Sequence, residues 1–294
     1  MTEQSSQRES AGADAYPASS RRVNVRTTSN SESGLRTAMW LASIALLLFL
    51  AIPLIALILR AADAVDSVSD RTSDTLWQAM RLTLVTSAIS LGIVILLGTP
   101  LAYLLARGKV PFSRVVDTII DLPMVLPPAV AGIALLMAFG RRGIVGSHLD
   151  DAGITLGFTT AAVIIAQTFV AVPFYVRSAR AGFARVDRHL EDAAADLGAT
   201  PGAVLRTVIL PLVRPNLAAG AVLAWARAVG EFGATIMFAG NFAGRTQTMP
   251  LAIYGRYEAG DLETALLLSV VLLAAAMLVL LAVRSVGGRS GDLI

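Results

Sequence analysis

Positions 38–59 form a run of 22 residues without a charge, closed off by Arg36 and Arg60. About 20 apolar residues suffice for a helix to cross roughly 30 Å of hydrocarbon, so this run predicts a membrane-spanning helix. It is too long for the core of a signal peptide, and no small-residue cleavage site follows it, which predicts that it is retained. Comparable runs recur at 82–106, 119–139, 158–176, 217–238 and 265–283. Hydrocarbon offers backbone groups no water, so such runs must bond internally. The predicted fold class is therefore an all-α integral membrane protein with six transmembrane helices. Composition agrees: 55% of residues are hydrophobic and 15% charged, whereas soluble chains carry about 25% charged residues.

The same composition excludes much chemistry. The chain has no cysteine, which removes disulfides, thiolate metal sites, iron–sulfur clusters and cysteine nucleophiles. Its two histidines, His148 and His189, are isolated and lie outside the long apolar runs, so no metal site and no cofactor are expected. The net charge is +3. In a membrane chain such an excess belongs to loops facing the cytoplasm, and nucleic acid is not an expected partner. With the N-terminus inside, 16 basic residues fall in cytoplasmic segments and 7 in external ones. That asymmetry predicts both termini in the cytoplasm of a cell (inner or plasma) membrane protein, with lipid around it. The expected organisation is a disordered cytoplasmic tail over 1–37, a transmembrane domain over 38–283 and a short cytoplasmic C-terminus over 284–294.

The largest internal loop, 177–216, is too short for an ATPase domain but holds two short helices. Leu190, Ala193, Ala194 and Leu197 lie at i, i+3, i+4 and i+7, one face of a helix. Glu191, Asp192 and Asp196 fall largely on other faces. Asp187 is placed to cap its start, and Gly198 suits the left-handed position after its end. Thr200-Pro201 opens a second helix, which should stop before Pro211. A helix of this kind lies on the bilayer or docks into a partner. Its acids have the wrong sign for anionic lipid, which favours docking.

Two spans carry features that ordinary packing does not require. The third contains Pro123, Pro127 and Pro128, which remove three backbone donors and must break or kink it beside Gly132. Broken backbone in a membrane is tolerated against protein or a water-filled cavity. The fifth contains Arg227 and Glu231, four apart and so on one face, between Gly230 and Gly233. Such a pair either forms a gate or path element or satisfies itself and stiffens the helix. Outside, Arg141-Arg142 opens one loop and the polar stretch Asn241 to Tyr257 forms another, a connector by its residues alone.

Several of these residues carry a resemblance. Ala193-Ala194, Gly198 and Leu210-Pro211 match the cytoplasmic signature of ABC-importer permeases: Glu-Ala-Ala, three residues, Gly, nine residues, Ile, one residue, Leu-Pro. Asp192 stands in place of the usual Glu and Val208 in place of Ile. Asp121-Leu122-Pro123, the stretch Leu126-Pro127-Pro128-Ala129-Val130-Ala131-Gly132, and Gly230-Glu231-Phe232-Gly233-Ala234-Thr235 are similar to the molybdate and sulfate branch. Phe238-Ala239-Gly240-Asn241 and Gln247-Thr248-Met249-Pro250 lean towards molybdate.

The resemblance, which covers roughly 76–283, implies a type I importer architecture and several roles. Glu191, Asp192, Ala193, Ala194, Leu197 and Gly198 would form a coupling helix that inserts into a separate ATP-hydrolysing subunit. Pro127, Pro128, Gly132, Arg227, Gly230, Glu231, Gly233 and Thr235 would line the translocation path or gate. Asn241, Arg245, Gln247 and Thr248 would meet an extracytoplasmic substrate-binding protein. The implied assembly is two copies of this chain with two ATPase subunits, moving an oxyanion (molybdate, or alternatively sulfate or tungstate). An ion-coupled secondary transporter would need more intramembrane ionisable groups than Glu231, Arg227 and Asp121. An enzyme is not expected: no Gly-x-Ser-x-Gly, no His-Glu-x-x-His and no phosphate-binding Gly-x-x-x-x-Gly-Lys loop is present.

Overall fold

A computed structural model describes residues 29–64 and 70–287, and every regular element among them is helical. The chain divides into two units, Met1–Leu54 and Ile55–Ile294. The first contributes most of α1 (Ser29–Asp63), whose Trp40, Leu47 and Phe49 are exposed. That surface is what lipid covers. Residues 1–28 of the expected tail, and 288–294, lie outside the described residues; α1 itself begins at Ser29, ahead of the anticipated start.

The second unit contains α2 (Asp70–Ala106), α3 (Ser113–Val125), α4 (Pro128–Phe139), α5 (Gly146–Asp151), α6 (Thr160–Ala184), α7 (Arg188–Asp196), α8 (Pro201–Val204), α9 (Leu210–Val229), α10 (Gly233–Ala239), α11 (Met249–Glu258) and α12 (Leu262–Gly287). Four helical stretches are long and apolar enough to cross a membrane: Gly34–Asp63, Ser73–Ala106, Thr160–Ala184 and Pro201–Val229. The pair α3 and α4, bent by 119°, makes a fifth if counted as one span. The sixth expected span corresponds to α12, whose described part contains the apolar stretch Leu262–Leu278.

Helix α6 is the centre of the unit. Thr159 caps its start, accepting from the Ala162 N–H, and twelve of its residues are buried. Its neighbours come close because side chains are missing at the crossings. A Cβ on Gly98 of α2 would stand 2.9 Å from the Tyr175 ring of α6. Between α6 and α9 the fit is reciprocal. A Cβ on Gly182 would meet Asn216 at 2.6 Å, and one on Gly220 would meet Ser178 at 2.9 Å. The Ser178 hydroxyl donates to the Asn216 carbonyl at 2.8 Å. Ser178 and Gly182 on α6, four apart, and Gly220 on α9 thus form a seam of the kind that holds membrane helices together. Opposite this seam, α3 is held to α6 by ion pairs, Arg177 to both oxygens of Asp121 at 2.6 Å and Arg180 to Asp117.

Prolines behave less uniformly than their local rules suggest. The expected stop before Pro211 does not occur. A π-helical turn, Leu205–Ile209, joins α8 to α9, and the Leu210 N–H bonds to the Leu205 carbonyl. The wider turn re-spaces the carbonyls ahead of the proline ring, so the helix carries Pro211 within its first turn. The expected span 217–238 is interrupted instead at Gly230–Phe232, with α10 a separate segment.

Replacing Gly182 or Gly220 by Leu is predicted to force α6 and α9 apart and to cost about 1–3 kcal/mol. Thermal unfolding in detergent measures this. Gly92→Leu, where a Cβ meets nothing within 4 Å, is the matched control and should leave the transition nearly unchanged.

Candidate functional site

The residues singled out by the sequence gather in three places. The first is α7. Asp187 accepts from the His189 N–H at 3.0 Å, which caps the helix. At the other end Gly198 has φ +86°, with the Ala199 N–H bonded to the Ala194 carbonyl at 3.0 Å. Thr200 then caps α8, accepting from the Ala203 N–H, with Pro201 as its first residue. None of the α7 residues is fully buried. Leu190 is 48% exposed and Leu197 90%, and Ala193 between them is exposed too. Ala194 packs against the core formed by α2, α6 and α9. An apolar edge of small and medium side chains therefore faces outward from a helix anchored at both ends. Asp192 is exposed, whereas Glu191 turns inward to an ion pair with Arg107. Arg107 was not distinguishable in the sequence from the other bases of its loop.

The second place is the junction of two broken helices. Leu126 and Pro127 separate α3 from α4, with Pro127 at the cap and Pro128 opening α4. Gly230–Phe232 separates α9 from α10. The two breaks interlock. A Cβ on Gly132 would lie 2.6 Å from the Met237 Cβ and 2.8 Å from the Ala234 carbonyl, and one on Gly233 would collide with the Pro128 ring. Gly230 has no such crowding.

Glu231 is 1% exposed in its side chain and uses both oxygens. Oε2 pairs with Arg227 at 2.5 Å, and Oε1 accepts from the Ala234 N–H at 2.7 Å, at the start of α10. A carboxylate at a helix start and a guanidinium in a helix's last turn are each favourably placed against the peptide dipoles. The pair therefore satisfies itself and bridges the break. Thr235, on α10, is buried, and its hydroxyl has no hydrogen-bond partner among the described residues.

The third place is the loop between α10 and α11. Asn241 donates to the Leu251 carbonyl at 3.0 Å and accepts from Gln247 at 3.0 Å, while Thr246 binds the Phe242 N–H. Thr248 is buried at the start of α11. Asn241 and Gln247 thus shape the loop, the buried Thr248 hydroxyl has no hydrogen-bond partner among the described residues, and Arg245 and Phe242 are side chains the loop presents. In the α5 loop Arg141 is engaged by Asp150 at 3.1 Å. A hydrogen bond from the Thr155 hydroxyl, and then Arg141, hold the Asp150 carboxyl below its ordinary range.

A helical membrane chain with an exposed short amphipathic helix and an interlocked pair of broken segments fits the architecture of a transport permease. Residues 98–288 match the family described as "Binding-protein-dependent transport system inner membrane component". The chain belongs to that family and is a multi-pass permease of the ABC-importer type. The molybdenum transport system permease protein ModB of Mycobacterium tuberculosis is 44% identical over 245 residues, 83% of this chain and 92% of that one. The sulfate transport system permease protein CysT of Salmonella typhimurium is 36% identical over 194 residues, 66% of this chain and 70% of that one. A solved bacterial ABC transporter for alginate import superposes with TM-score 0.69 at 18% identity, covering 88% of this chain and 96% of that one. At that identity the likeness establishes the fold.

Two outcomes test the junction. Glu231→Gln retains an acceptor for the Ala234 N–H and is expected to be tolerated better than Arg227→Glu, which sets two carboxylates together in the site. Glu231→Ala leaves a part-exposed guanidinium and a buried N–H unpaired and should cost about 1–3 kcal/mol. Melting temperatures and folded yield in detergent rank the three; equal losses from Glu231→Gln and Arg227→Glu would contradict the capping role.

Proposed function

We propose that this chain is the membrane half of an ATP-driven importer for molybdate, working by alternating access. Two copies would form the pore. Two separate ATPase subunits would receive α7 in their clefts, and an extracytoplasmic binding protein would deliver the anion. In this reading the membrane carries six spans, with both termini in the cytoplasm. The observation that carries it is the outward-facing edge of Leu190, Ala193 and Leu197 on a capped helix, in a chain 44% identical to a molybdenum permease over most of its length.

Each part has a physical support. The ion pairs Arg177–Asp121, Arg180–Asp117 and Arg227–Glu231 are made within the chain. A path with its charges already paired binds an anion weakly, which suits a subunit that receives substrate from a dedicated binder. The interlocked breaks at Pro127–Pro128 and Gly230–Phe232 supply segments able to shift against each other, because neither is locked into a continuous helix. Arg245 and Phe242 at the opposite loop are the side chains offered to the binding protein.

Labelled-molybdate uptake in cells with and without the chain tests the substrate. Loss of an uptake that tungstate competes for, and excess sulfate does not, is the expected result. Lost sulfate uptake with molybdate unchanged would move the substrate to sulfate. For the coupling surface, Leu197→Asp changes an exposed side chain and should alter stability by no more than about 0.5 kcal/mol. Insertion should be normal, while transport falls at undiminished ATP hydrolysis. Normal transport in that variant would remove the docking role.

A further inference from the structure

The short helix α7 is itself held by a residue outside its loop. Arg107 lies just past α2, where the backbone reverses at Gly108, φ +66°, and the Lys109 N–H bonds to the Leu104 carbonyl at 3.0 Å. Its side chain is 7% exposed although it carries a charge. The guanidinium is 5.5 Å from the centre of the Tyr103 ring, and that ring meets Phe183 of α6 edge-on at 5.4 Å. One nitrogen, Nη2, is ion-paired with Glu191 of α7. Arg107 and Glu191 both line a cleft of about 170 Å³ between the end of α2 and α7.

Apolar anchoring of α7 comes from Ala194, which packs partly buried against the core. None of its residues is fully buried, and it has nine residues, below the length at which helices are stable alone. A buried cation with one carboxylate partner is a demanding contact: rotating α7 away would leave the guanidinium desolvated and unpaired. Glu191 and Leu197 fall on different sides of the helix, so pairing Glu191 inward turns Leu190, Ala193 and Leu197 outward.

We infer that Arg107 is a positioning residue for energy coupling. It sets the rotation of α7 through Glu191 and ties α7 to the end of α2, so that displacement of α7 is delivered to α2 as well as to the helices covalently joined to it. The inference rests on the coupling reading above.

The test uses the full complex, with its ATPase subunits and binding protein, in proteoliposomes. Arg107→Gln and Glu191→Gln should each lower transport per ATP hydrolysed about tenfold, and the exchange Arg107→Glu with Glu191→Arg should recover most of it. A merely structural role would lower yield and melting temperature and leave transport per ATP unchanged. The chain has no cysteine, so a nitroxide on Asp196→Cys, an exposed α7 position outside the docking edge, reports on this helix in the chain, and its mobility should rise in Glu191→Gln. If Arg107→Gln does not accumulate, Glu191→Gln and the spin label decide. Should Leu197→Asp uncouple while Arg107→Gln and Glu191→Gln do not, and the label stay immobile, the anchor is refuted and the coupling surface stands. If Leu197→Asp also leaves transport per ATP intact, the coupling reading itself fails.

Discussion

The rest of the structure depends on how closely the backbones of α6 and its neighbours approach. Lipid is as apolar as leucine, so membrane helices gain little from burying hydrophobic surface against each other and associate through packing and hydrogen bonds. Gly98, Gly182 and Gly220 remove the side chains that would keep α2, α6 and α9 apart, and the Ser178 hydroxyl binds backbone across the resulting seam. With α6 fixed, the ion pairs from Asp117 and Asp121 place α3, and the reciprocal fit of Gly132 and Gly233 places α4 against α10. The broken segments are thus supported by protein on the side where lipid could not satisfy them.

What could be read from the sequence divides along the range of the forces involved. The ends of α7 were legible because capping is local: Asp187, Gly198 and Thr200-Pro201 act within four residues of where they stand. The break at Pro127–Pro128 was legible for the same reason. Pro211 was misread because the local rule assumes an α-helical turn, and the widened turn at Leu205–Ile209 satisfies the backbone in another way. The interruption at Gly230–Phe232 was hidden inside a continuous apolar run, since hydropathy does not register a break that a buried carboxylate repairs. The glycine seam and the Arg107–Glu191 contact could not be read at all. Each depends on which residue of a distant helix stands opposite.

The loop between α10 and α11 shows the same limit from the other side. Asn241, Gln247 and Thr248 are polar in an external loop, the usual signature of a presented surface. In the fold Asn241 ties the loop to the Leu251 carbonyl of α11, Gln247 holds Asn241, Thr248 is buried, and exposure passes to Arg245 and Phe242. Polarity identified the segment, and only the hydrogen bonds separated its framework from its face.

The π-helical turn has a consequence for how insertions and deletions are tolerated. Because Pro201–Val229 is one continuous helix, its two ends share a single angular phase. One end meets the outward-facing helix α7 and the other ends at the interlocked break. A π turn accommodates one residue beyond the α-helical repeat, and each α-helical residue advances the phase by about 100°. Deleting a residue within 205–209 would keep the two ends in phase but return Pro211 to a regular α-helical turn, where its ring meets the carbonyl four residues back. Adding or deleting a residue elsewhere in the helix would swing one end about a quarter turn relative to the other. The five residues of the turn are therefore a phase adjuster, where the chain can absorb a change of length without misaligning what lies at either end of the shaft.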